Sequence, residues 1–64
     1  MYVDELLRTA AGFEAEARMW RDRAAAARNP TYAALSLTYR RAAEQHREKA
    51  ARLQRLIDGL ELPS

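Results

Sequence analysis

The sequence predicts an all-α protein: an antiparallel hairpin of two long helices, pairing with a second copy into a dimeric four-helix bundle. Three observations predict it. Apolar residues recur at alternating steps of three and four along two stretches of nearly equal length, which is the spacing of a coiled-coil or bundle seam. A single break, Asn29-Pro30, separates the stretches. Within each stripe small and large residues alternate, so folding back at that break stacks large on large and small on small.

The first helix is expected at about 3–28. Asp4 and Glu5 fall in its first turn and Arg28 in its last, which suits the helix dipole. Its seam alternates Val3, Ala10, Ala17 and Ala24 with Leu6, Phe13, Trp20 and Ala27. On the side away from the seam lie Ala11, Gly12, Ala15 and Met19. A glycine inside a helix costs about 1 kcal/mol relative to alanine, and a smooth strip of this kind admits another helix at close range. These four residues are the candidate surface for a protein partner. Against that, an alanine-rich chain puts alanine on every face.

The turn is expected at 29–30. Asn29 precedes a proline and is pushed out of the helical region, so it can cap the second helix with Pro30 at the first helical position. That helix is expected at about 30–58, with Gly59 as a left-handed cap and Pro63 beyond it. Its seam alternates Ser36, Ala43, Ala50 and Ile57 with Tyr32, Tyr39, His46, Leu53 and Leu60. Each helix would be about 40 Å long at 1.5 Å per residue.

Folded back, the hairpin brings Trp20 near Tyr39, Phe13 near His46 and Leu6 near Leu53. The expected core and self-association set is Leu6, Phe13, Ala17, Trp20, Tyr39, Ala43, His46, Leu53 and Ile57. Leu7, Leu37, Leu56 and Leu62 fall off the seam and widen the apolar surface beyond what one hairpin partner covers. Residues 1–64 read as one helical-hairpin domain. A lone hairpin is a single layer, and stable domains need two. Without cysteines there are no disulfides to help, and oligomerisation is the usual remedy at this size.

No apolar run approaches the ~20 residues of a membrane span. The opening Met-Tyr-Val-Asp-Glu lacks the features of a signal peptide, so a cytoplasmic protein is expected. A lipid-surface role is disfavoured, because the seam is alanine-rich and the polar residues mix acids with bases. Alanine and arginine, both with GC-rich codons, supply 24 of 64 residues. That composition fits a high-GC bacterium or its phage.

Catalysis finds little to work with. Ser36 and His46 are ten residues apart on one helix, about 15 Å by rise, too far for a nucleophile and its base. The Glu-x-x-His element of di-metal bundles fails because position 43 is alanine. Glycine-rich phosphate loops are absent. The chain is therefore expected to be no enzyme, with no cofactor and no metal. His46 sits on the seam opposite Phe13 and reads as a core histidine with Glu16 or Tyr39 as hydrogen-bond partner. The other readings are a register-specifying polar residue, or a metal or pH-sensing group. Trp20 and Tyr39 read as core packing, with a partner hot spot as the alternative.

Eleven basic residues against nine acidic leave a net charge of +2. Local pairs four apart are expected at Asp4–Arg8, Glu14–Arg18, Arg18–Asp22 and Glu48–Arg52. Arg21, Arg23, Arg28, Arg40 and Arg41 gather toward the turn and offer a nucleic-acid alternative, interrupted by Asp22 and Glu44. The architecture resembles that of the Rop family of plasmid RNA-binding hairpins, which pair into a four-helix bundle. The resemblance is one of shape along the whole chain. No sequence motif is shared, and no functional residue carries over. The function expected is a small regulatory, adaptor or inhibitor protein that self-associates and binds another protein through a helical face.

Overall fold

The computed structural model describes residues 2–61. They form two helices, α1 Tyr2–Ala27 and α2 Pro30–Glu61, packed along their length into an antiparallel hairpin. Its Cα atoms span 57 × 15 × 11 Å. Among the described residues no helix is long and apolar enough to cross a membrane.

The reversal takes two residues. Arg28 adopts a left-handed conformation with φ 51°. The Asn29 amide then donates to the Ala24 carbonyl at 3.4 Å, the six-to-one bond of a Schellman cap. Arg28 thus lies just past α1 rather than in its last turn, and α1 has no basic residue there. Asn29 also caps the next helix. Its Oδ1 accepts the Thr31 amide at 2.9 Å, and its carbonyl accepts the Ala33 amide at 3.3 Å. Pro30 takes the first helical position, where its missing N–H leaves nothing unpaired.

The expected stop at Gly59 is not found. α2 runs on to Glu61, and no glycine has a positive φ. A Cβ placed on Gly59 would meet nothing within 4 Å. No contact forces the chain to turn there, and glycine tolerates helical dihedrals in open space. Pro63 and Leu62 lie outside the described residues.

The core is made of small residues. Val3, Leu6, Ala10, Ala17, Ala43 and Ala50 are buried, with Ala10 fully so, and among the described residues no large side chain is fully buried. Alanine at the facing positions lets the two backbones come close. Ser36 measures that closeness: its Oγ crosses the seam and donates to the Ala17 carbonyl at 2.9 Å. A larger cluster forms at the open end, where Leu53 and Ile57 pack on Val3, Leu6 and Ala50.

Two substitutions test the turn in opposite directions. A non-glycine residue in the left-handed region costs roughly 1–2 kcal/mol, so Arg28→Gly should stabilise the fold by about 0.5 kcal/mol or more. Loss of an asparagine cap costs about 1 kcal/mol, so Asn29→Ala should lower stability by that amount. Thermal melts followed by circular dichroism read both.

Candidate functional site

Helix periodicity gives the hairpin two unlike faces. At 100° per residue, positions four before and three after a seam alanine fall to one side of it. Around Ala17 these are Phe13 and Trp20; around Ala43 they are Tyr39 and His46. Positions three before and four after fall to the other side. They are Glu14 and Arg21, and Arg40 and Arg47. The same rule on both helices makes one face aromatic and the other charged.

On the aromatic face the Phe13 ring lies 6.1 Å from Tyr39 and 5.2 Å from His46, centroid to centroid. Trp20 lies 5.2 Å from Tyr32. The expected Trp20–Tyr39 layer is therefore shifted. Trp20, nearer the turn, meets the first tyrosine of α2, and Tyr39 meets Phe13. Phe13 opposite His46 and Leu6 near Leu53 follow the expected layering. The Arg23 guanidinium sits 5.1 Å from the Trp20 ring centre and Lys49 Nζ sits 5.7 Å from that of Tyr2, both within cation–π range.

These rings keep part of their surface in solvent. Phe13, Trp20, Tyr32, Tyr39 and His46, with Leu53 and Ile57, are half-buried, while Tyr2 and Leu60 are exposed. The Trp20 Nε1 atom is buried without a hydrogen-bond partner. His46 bonds within its own helix rather than to Glu16 or Tyr39. Its Nδ1 lies 2.8 Å from the Ala42 carbonyl, which can only accept, so Nδ1 carries the proton. Ser36 Oγ is engaged across the seam instead, and these two polar groups do not meet.

On the charged face a groove of about 260 Å³ runs over Ala17, Ala43 and Ser36. Glu14, Arg18 and Arg21 wall one side, and Arg40, Glu44 and Arg47 wall the other. Glu14 and Arg47 form an ion pair across the helices, Arg40 Nε lies 4.0 Å from Glu44, and Arg21 Nε lies 3.9 Å from Asp22. Among the described residues, none of the four expected local pairs closes. Glu14 turns to α2 because Arg47 faces it over the narrow seam, whereas Arg18 lies farther around its own helix.

The five arginines expected as one patch are divided by this geometry. Arg21 and Arg40 line the groove, joined by Arg18 and Arg47. Arg23 covers Trp20 on the other face, Arg28 occupies the turn, and Arg41, next to Arg40, is 100° further around α2. Sequence reasoning missed the groove, although the spacing of Glu14, Arg21, Arg40 and Arg47 about Ala17 and Ala43 encodes it. The small strip lies open: Ala11, Gly12 and Ala15 are exposed, Met19 is half-buried, and a Cβ on Gly12 would meet nothing within 4 Å. Leu7, Leu37 and Leu56 are exposed as well. Among the described residues no group of three histidine, cysteine or acidic side chains could hold a metal ion.

Compared with protein-family models, with curated proteins and with solved structures, the chain matches none.

Half-burial sets the size of the Trp20 effect. Full loss of a buried tryptophan costs about 3–5 kcal/mol, so Trp20→Ala in this setting should cost about 2 kcal/mol in the single hairpin. A loss well above that, growing with protein concentration in chemical denaturation, places the ring in an interface between chains.

Proposed function

We propose that the chain is a non-enzymatic helical interaction module that acts as a self-associated unit, a two-fold dimer whose hairpins close their aromatic faces on each other as a four-helix bundle. The observation that carries this reading is the incomplete burial of Phe13, Trp20, Tyr32, Tyr39 and His46, gathered on one face. Burying aromatic rings is the largest apolar gain the sequence offers, and a single hairpin realises only part of it. The alanine seam cannot supply the difference, since each methyl contributes only about 0.8 kcal/mol.

Shape supports the same reading. The hairpin is long and thin, 57 × 15 × 11 Å over its Cα atoms, a single layer where stable domains need two. The opposite face is charged and remains in water in such a bundle. The strip of Ala11, Gly12, Ala15 and Met19 also stays outside, on α1, and is the surface left for a second protein. A regulatory, adaptor or inhibitor role in the cytoplasm fits a module of this kind. A nucleic-acid role through Arg21, Arg23, Arg28, Arg40 and Arg41 has less support, because those residues are spread over several faces rather than aligned along one.

Light scattering coupled to size exclusion, at tens of micromolar chain, should give at least twice the chain mass. Tyr39→Glu, which sets a charge in the middle of the aromatic face, should return the protein to monomer. A well-folded parent that stays monomeric over the whole concentration range overturns this reading.

A further inference from the structure

We propose that the charged groove is a binding site for a small phosphate-bearing anion, held by Arg18 and Arg21 of α1 and Arg40 of α2. The charges there do not balance. Four guanidinium groups line the groove against two carboxylates, a surplus of two positive charges. The carboxylates are also placed unevenly. Glu14 pairs with Arg47, about one turn farther from the hairpin turn than Arg18. Glu44 lies 4.0 Å from Arg40 with both side chains mostly in solvent, and Arg21 touches Asp22 at 3.9 Å with 68% and 78% of the side chains exposed. Solvated pairs of that kind are worth little, and an anion with two negative charges displaces them at small cost.

The groove exists because the seam is small. Ala17, Ala43 and Ser36 line its floor, and arginines from both helices line it with them. Arginine presents paired N–H donors that match phosphate oxygens two at a time. At about 260 Å³ the site falls just below the usual range of ligand pockets, roughly 300–1,000 Å³. That size suits a phosphate, a pyrophosphate or the phosphate end of a small metabolite. A nucleic-acid backbone needs cations repeated along a track, and here the Glu14–Arg47 pair closes the end away from the turn.

The site lies on the face opposite the aromatic rings, so it does not depend on self-association. The test is titration of the full chain with inorganic phosphate and with pyrophosphate, followed by nitrogen–proton NMR of backbone and arginine side-chain signals. Saturable shifts should appear at Ser36, Arg18, Arg21 and Arg40, with pyrophosphate the tighter of the two and a Kd below about 1 mM. Arg18→Gln with Arg21→Gln should weaken pyrophosphate binding about tenfold, because each lost charge-assisted contact is among the stronger hydrogen bonds. Arg52→Gln with Arg55→Gln, away from the groove, should leave it within about twofold. Both pairs sit on exposed helix positions, and circular dichroism checks that each stays helical. Equal weakening by the two pairs, shifts scattered over all arginines, or no saturation with either anion overturns the proposal. So does tight binding of a mixed DNA duplex with no response to pyrophosphate, which assigns the arginines to a nucleic-acid track instead.

Discussion

The close approach of two backbones along an alanine seam is the constraint on which everything else in this molecule depends. Four of the six buried residues, Ala10, Ala17, Ala43 and Ala50, are alanines, and none of these has a side chain long enough to hold the helices apart; Val3 and Leu6, also buried, sit at the open end. Only at that separation does Ser36 reach the Ala17 carbonyl and Glu14 reach Arg47. The seam contributes proximity more than energy. A row of methyl groups stabilises weakly, so larger side chains must do the rest from the flanks.

Those flanks are assigned by arithmetic. A helix turns 100° per residue, so a side chain four before or three after a seam alanine is thrown to one side, and three before or four after to the other. The chain puts rings at every position of the first kind around Ala17 and Ala43, and charges at every position of the second kind. The turn makes this two-sidedness possible. Asn29 closes α1 through Ala24 and opens α2 through Thr31, so the reversal is short and the register between Ala17 and Ala43 is set.

Much of this was legible in the chain. Small–large alternation gave the seam, Asn29-Pro30 gave the reversal, and Phe13 opposite His46 gave the central layer. What escaped was local. Arg28 carries no mark of the left-handed conformation, a position glycine usually fills, because tertiary pairing of the helices dictates the turn. Gly59 bears such a mark and continues the helix. Trp20 meets Tyr32 rather than Tyr39 because heptad bookkeeping locates a residue on a face but not the reach of an indole along it. The groove was hidden by reading charges four apart along one helix, when a narrow seam brings partners from the other helix nearer.

The central claim is that the alanine seam closes within a chain and the aromatic face closes between chains. Isotope-filtered NOE spectroscopy on a mixture of labelled and unlabelled protein separates the two directly. The account predicts that contacts between the Ala17 and Ala43 methyl groups are intramolecular. It predicts intermolecular contacts from the rings of Phe13, Trp20, Tyr39 and His46. Intermolecular contacts between the Ala17 and Ala43 methyls, or ring protons that see no second chain, would contradict it.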